Sequence, residues 1–420
     1  MKVVIEKSNL DGGVTAPGSK SYTIRGLICA ALAEGESEIM DPLISSDTLA
    51  IRGVLTDAGV KIDQKENTWR VTGGSLCKPD RDLFCADSAA TMRFMTAVCS
   101  IILGKCRLTA GPSLARRPML MLINALKQLG VKCSCKGNVA PVTVEGGSLR
   151  GGFTELPGDI SSQFISALLL VSPLAEQGVH IRLTTPVRSK PYIRMTMDCM
   201  RAFGITVSAS GDMKDFNIEP QRYRAAKYQV EGDWSSASYF LAMGALSGKV
   251  TVYRLNKNSL QGDKIMLDLL REMGVSVEIS QNSITVTKSR LRSVQADMSD
   301  AIDLLPTIAV LGAMARGKSE FSGIARARIK ESDRVLSLRR GLGKMGIIIT
   351  EEEDSLTVTG GRPTGAIIDS NNDHRIAMAF SIAGLVAGET TIVGAECVEK
   401  TYPDFWDVLR SIGGKVVSDG

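Results

Sequence analysis

Small, polar and charged residues gather in six short stretches of this chain, each placed where a helix would begin. Lys20, Ser21 and Arg25 stand in GSKSYTIR from Gly18, Arg93 ends DSAATMR from Asp87, and Ser161, Ser162 and Gln163 stand in GDISSQF from Gly158. GDWSSAS from Gly232, DAIDLLP from Asp300 and NNDHRIA from Asn371 add Asp233, Asp303, His374 and Arg375. Between them lie Arg116-Arg117, Arg188-Ser189-Lys190, a run from Arg326 to Arg334 that includes Arg328, Lys330 and Glu331, and Glu399-Lys400. A cation at a helix N-terminus opposes the macrodipole and by itself weakens the helix. It becomes favourable when an anion sits against the free N–H groups and the side chain together. The chemistry these residues fit is capture of phosphate or carboxylate groups. The plainer alternatives are a solvated basic face, ordinary N-caps at Ser161 and Ser162, and a surface ion pair between Glu331 and Arg334 at helical spacing.

The six heads repeat at a period of about 70 residues, the mark of a supersecondary unit that must stack with its copies to bury an apolar face. Each head runs into a small, apolar stretch such as LICAALAEG or TIAVLGAMARG. A second series keeps step: a further helix in each unit ends at Gly59, Gly130, Gly204, Gly274, Gly346 or Gly413, followed by a strand. Those glycines fit left-handed C-caps. Strand-like pieces such as VHIRLTT follow the first helix, and SITVTK or SLTVTGG forms the far arm of a hairpin. The unit reads β-α-β-α-β-β. The last repeat stops after its first hairpin strand, and MKVVIEKS at the other end resembles the missing arm.

Three units per domain then give two α/β domains, 15–227 and 1–14 plus 228–420, with crossings near Pro17 and Tyr228 that could act as a hinge. A single six-unit ring or solenoid is the alternative, disfavoured because single cores rarely grow beyond about 250–300 residues.

Composition narrows the class. No run approaches the roughly 18–20 apolar residues of a membrane span, and the first residues read as a strand rather than a targeting segment. Nine cysteines without regular spacing argue for reduced thiols. Cys133-Ser-Cys135 has no histidine nearby, which speaks against zinc. The net charge of +5 is modest, and with 5 % aromatic residues a nucleic-acid face has little to stack on. GVTAPGSKS from Gly13 imitates a phosphate-binding loop, but a serine precedes the lysine and the spacing is one residue too long. Of the two histidines, His180 sits in a strand-like run and His374 at a head, where a site role is the better reading.

Eight motifs in order carry a resemblance to the 5-enolpyruvylshikimate-3-phosphate synthase family: PGSKSYTIR, GPSLARRPM, GDISSQF, RSKPYI, EGDWSSASYF, IKESDR, NNDHRIAM and KTYPDF. The resemblance spans nearly the whole chain. It implies an enolpyruvyl transferase-like inside-out α/β barrel fold, two domains of three βαβαββ repeats each closing over the substrates. It also implies addition–elimination that moves the enolpyruvyl group of phosphoenolpyruvate to the 5-hydroxyl of shikimate 3-phosphate and releases phosphate. By resemblance, Ser21, Arg25, Ser161, Ser162, Ser189, Asp303 and Lys330 meet shikimate 3-phosphate. Ala89, Arg117, Arg334, Arg375 and Lys400 meet phosphoenolpyruvate, and Lys20 and Gln163 face both. Asp303 is the expected base at the hydroxyl, Glu331 the expected acid and base at carbon, with Lys20 assisting. No metal or other cofactor is expected, nor a nucleic-acid or membrane partner; a cytoplasmic monomer acting on small molecules is.

The second head departs from the family pattern. Ala89 replaces a glycine at the phosphoenolpyruvate pocket and Ala90 a threonine, which should disfavour the longer inhibitor glyphosate. Arg326 stands where the family has an uncharged or histidine side chain, which puts its contact with substrate in doubt. Two rivals remain. The sister transferase acting on UDP-N-acetylglucosamine carries a reactive cysteine in the loop equivalent to 111–117, and this loop has none. RNA 3′-terminal phosphate cyclases share related units but need a nucleophilic histidine, for which only His374 would serve.

Overall fold

The computed structural model describes residues 1–147 and 149–419; Ser148 and Gly420, the last residue of the expected second domain, lie outside the described residues. Among the described residues twelve α-helices form two alternating series. The head helices are α1 (Lys20–Leu32), α3 (Ala89–Val98), α5 (Ser162–Val171), α7 (Trp234–Ser247), α9 (Leu305–Ala313) and α11 (His374–Ala387). The second series is α2 (Ser46–Asp57), α4 (Leu120–Gln128), α6 (Lys190–Ala202), α8 (Met266–Glu272), α10 (Arg334–Lys344) and α12 (Phe405–Ser411).

The two series differ for a physical reason. Head helices are apolar nearly all round and are buried; every residue of α9 is. The second series is amphipathic, with one face of α6 exposed. Ser161, Asp233 and Asp373 cap α5, α7 and α11 by accepting from the N–H of Gln163, Ser236 and Arg375. All six glycines that close the second series adopt the left-handed conformation, with φ between 83° at Gly204 and 96° at Gly413.

Among the described residues six open four-stranded sheets share one topology. In the third repeat Gly152–Leu156 runs parallel to Val179–Leu183, which pairs antiparallel with Asp215–Ile218, itself paired with Ser208–Ala209. Each sheet thus contains a strand leading into a head, a strand that follows a head, and two antiparallel arms.

The N-terminus departs from the simple expectation that residues 1–14 complete the sixth unit. Lys2–Ile5 does so, lying between Thr390–Val393 and Val416–Asp419. Leu10–Thr15 instead pairs parallel with Gly248–Tyr253 in the fourth sheet. Reciprocally, Lys227–Gln229, which precedes the fourth head, pairs with Gly35–Met40 in the first sheet. The two leading strands are exchanged because the chain crosses after each of them and before the head. Gly13 marks the consequence: a Cβ there would come within 2.5 Å of the Tyr253 ring on the adopted partner strand.

The chain divides into two compact units, Gly18–Val230 and Met1–Pro17 with Glu231–Gly420. Their boundaries follow the exchanged strands, three residues beyond the 14/15 and 227/228 limits read from sequence. Each unit has its own apolar core. In the first, α3 packs on α5 and α1 on α6; in the second, α7, α9 and α11 pack on one another. No helix among the described residues is long and apolar enough to cross a membrane.

Candidate active site

The unit Gly18–Val230 gathers the hydroxyls. Lys20 opens α1, and its Nζ lies 3.1 Å from Asp47 Oδ2 in the first turn of α2. Arg25, 2 % exposed, turns inward. Its Nε donates to Thr196 Oγ1 at 2.7 Å, and its terminal nitrogens donate to the carbonyls of Ser21 at 3.0 Å and Tyr192 at 3.2 Å. Phe94 and Tyr192 face the guanidinium, 5.3 and 5.9 Å from it. Burial lowers the Arg25 pKa, while Cys199 and the neighbouring tyrosines oppose that shift. Arg25 is therefore a clamp between α1 and α6, beneath Ser21, as well as an expected ligand.

Arg93 is the residue that the expected ligand set omits. Its guanidinium donates to Ser161 Oγ at 3.1 Å and Gln163 Oε1 at 2.8 Å, and lies over the Phe164 ring at 4.7 Å. It fixes two expected ligands at the start of α5, and Ser162 beside them is buried. The signal was present: Arg93 closes its head as Arg25 closes the first. Ser189 N-caps α6 from the left-handed region, with φ 58°, an uncommon conformation for serine. Ala89 is the first residue of α3 and is buried. Asp87, two residues before it, accepts from the N–H groups of Ser113 and Leu114 at 2.9 Å each. That carboxylate ties the second head to the loop carrying the buried Arg117.

The other unit gathers the carboxylates around one arginine. Arg334, 1 % exposed, reaches Asp303 Oδ1 at 2.7 Å, Glu331 Oε2 at 2.7 Å and Asp373 Oδ2 at 2.8 Å. The Glu331–Arg334 pair at i,i+3 exists, but it is buried rather than a surface pair. Arg375 joins Asp303 Oδ2 at 3.2 Å and donates to the Tyr239 hydroxyl at 3.4 Å. Lys330 Nζ stands 3.3 Å from Asp303, and Lys400 Nζ 3.7 Å from Glu331. Asp373, in sequence only one residue of a head, caps α11 and also accepts from Ser332 Oγ at 3.0 Å. His374 is buried with Nδ1 3.8 Å from Asp373. Arg326 donates to the Ser299 carbonyl at 2.5 Å.

Electrostatics follow from this crowding. Burial pushes the Asp303 carboxyl up, but Arg375, Lys330 and Arg334 outweigh it and hold the group well below the usual carboxylate range. Burial pushes the Lys330 ammonium down to about 8; Asp303 favours its charge, whereas Arg334 and Arg326 oppose it. The neighbours differ because Asp303 meets three cations while Lys330 meets cations as well as carboxylates. Arg334 is raised despite its burial, since Asp373, Glu331 and Asp303 all favour its charge.

A stability consequence is testable. Because folded Asp303 resists protonation, the stability it contributes is full at neutral pH and is lost as the pH falls below about 4, where the unfolded chain takes up the proton. Asp303→Asn is expected to lower Tm at neutral pH and to flatten the acid limb of Tm against pH. An acid limb identical to the parent's would show that Asp303 is not its source.

Comparisons with known proteins agree on one family. Residues 4–409 match the model of EPSP synthase (3-phosphoshikimate 1-carboxyvinyltransferase). A protein of Dehalococcoides mccartyi named 3-phosphoshikimate 1-carboxyvinyltransferase is 50% identical over 421 residues, covering 100% of both chains. A protein of the same name from Methanothermobacter thermautotrophicus is 42% identical, over 98% of this chain and 99% of its own. Among solved structures, EPSP synthase from Acinetobacter baumannii aligns with a TM-score of 0.84 at 28% identity, over 99% of this chain and 100% of that one.

Proposed function

This chain belongs to the EPSP synthase family, the 3-phosphoshikimate 1-carboxyvinyltransferases of the shikimate pathway, and from that premise we propose how its residues divide the reaction. The observation that carries the reading is the Arg334 cluster, in which three carboxylates and three further cations meet in one buried place. Such a cluster has the charge to hold anionic phosphoenolpyruvate and the carboxylates to move protons around it.

In the first unit Ser161, Ser162, Gln163 and Ser189, with Ser21 and Arg25, hold shikimate 3-phosphate, and Arg93 keeps Ser161 and Gln163 in place. Hydroxyls and free N–H groups at the start of α5 suit its phosphate. Arg117 and Lys20 are this unit's candidate phosphoenolpyruvate ligands; Arg334, Arg375 and Lys400 are those of the other unit. The 5-hydroxyl oxygen attacks C2 of phosphoenolpyruvate, and its proton passes to the Asp303–Lys330 pair. Asp303 orients the hydroxyl, while Lys330, ionising near working pH, supports the proton transfer. Glu331 gives a proton to the methylene carbon in the addition step. It takes one back in the elimination, as the C–O bond to phosphate breaks and Lys20 meets the departing charge. Positioning and charge stabilisation carry the rate. The chain works as a cytoplasmic monomer in this reading.

Phosphate release from phosphoenolpyruvate tests the assignment. Release should require shikimate 3-phosphate; no release with both substrates, or release driven instead by UDP-N-acetylglucosamine, would reject it.

Ala89 shapes inhibitor response in the same account. Its methyl group stands at the first turn of α3, against the pocket proposed for phosphoenolpyruvate. A clash of this kind costs about 1–3 kcal/mol, or roughly five- to 150-fold in binding of the longer ligand. Ala89→Gly should lower the glyphosate inhibition constant by that factor with little change in KM for phosphoenolpyruvate. Equal inhibition of parent and variant would remove Ala89 as the determinant.

A further inference from the structure

The fourth head supplies no ligand in the scheme above, yet its helix touches a buried carboxylate that the scheme leaves unused. Asp263 lies in the short turn Gly262–Ile265 and is 2 % exposed. Ser235 Oγ donates to its Oδ2, while its Oδ1 accepts no hydrogen bond from the described residues. Ser235 and Tyr239 are four residues apart on α7 and so share a face. Tyr239 accepts from Arg375, whose other arm is bound to Asp303. One face of α7 therefore holds Asp263 at one level and Arg375 a turn further on.

Charge links the two levels. Burial pushes the Asp263 carboxyl up to about 6; Arg375 pulls it down most strongly, Asp303 pushes it up, Ser235 lowers it and Asp233 raises it. The charged groups that act on it most strongly thus belong to the Arg375 surroundings or to the cap of α7.

We propose that Asp263 is a positioning residue for phosphoenolpyruvate: its negative charge competes with the substrate for Arg375, so its protonation state sets how firmly that guanidinium holds the substrate. The inference rests on reading Arg375 as a phosphoenolpyruvate ligand. A purely structural Asp263, tying Ser235 to the turn, would leave substrate affinity without this pH dependence.

The test is KM for phosphoenolpyruvate at saturating shikimate 3-phosphate, measured across pH for the parent and Asp263→Asn. Taking the ratio of the two KM values cancels the substrate's own ionisation. Below the Asp263 transition the ratio of parent to variant should be close to one. Above it, the ratio should rise roughly three- to tenfold, as expected for one charge added near an anion site, while the ratio of kcat values stays flat. Ser235→Ala removes a donor that favours the ionised carboxylate, so it should move the transition to higher pH. A KM ratio that does not change with pH, or a pH effect confined to kcat, overturns the proposal. If Asp263→Asn does not fold, Ser235→Ala decides: a transition displaced upward supports the proposal and an unmoved one overturns it. Failure of the underlying reading looks different, since the parent would then not turn over the two substrates, or Arg375→Met would leave KM for phosphoenolpyruvate unchanged.

Discussion

Arg334→Met should both destabilise the fold and abolish turnover. The guanidinium is 1 % exposed and satisfies Asp303, Glu331 and Asp373 at once. Removing one partner of a buried ion pair costs about 3–5 kcal/mol, because the charges left behind are neither solvated nor paired. For a unit of this size that corresponds to a fall in Tm of roughly 6–20 °C. The loss should shrink at low pH, where the abandoned carboxylates can take up protons. Arg334→Lys should recover part of the stability, since an ammonium can pair with one carboxylate, but little activity, because it cannot span three. Thermal melts with phosphate-release assays distinguish the outcomes. A folded, fully active Arg334→Met would refute the role given to the cluster.

Glu331→Gln is the complementary case, with a large effect on rate and a small one on folding. Glutamine keeps the size of the side chain and an oxygen that can accept from Arg334, so melts should stay close to those of the parent. It cannot carry a proton to and from carbon. The loss in kcat should be roughly 10²–10⁴-fold, the usual contribution of a positioned acid or base. KM for both substrates should change far less, because binding falls to other residues. An equal fall in stability, or a defect confined to KM, would make Glu331 a structural partner of Arg334 and nothing more.

Much of this was legible in the sequence because the signals were local. The polar heads and the six closing glycines announced twelve helices, since an N-cap and a left-handed C′ residue are properties of a few consecutive residues. The exchange of Leu10–Thr15 and Lys227–Gln229 was not legible, because both segments have the local pattern of a leading strand. Which sheet receives each depends on pairing across 189 residues in one case and 238 in the other. The site shows the same division. Residue types pointed to candidate anion ligands, but Arg93 as the holder of Ser161 and Gln163 follows only from packing. So does Asp373 as the third carboxylate on Arg334. Arg25 shows the converse: a charge expected to face substrate is also a buried clamp on Thr196 and Tyr192.

The central claim is that carboxylates of the Arg334 cluster move a proton onto and off the methylene carbon while the hydroxyl adds and phosphate leaves. The most direct measurement is turnover in D₂O, followed by mass spectrometry of the enolpyruvyl product. The account predicts deuterium in the product's methylene group with the parent enzyme, and no comparable incorporation with Glu331→Gln. Full turnover by the parent with both original hydrogens retained would contradict it.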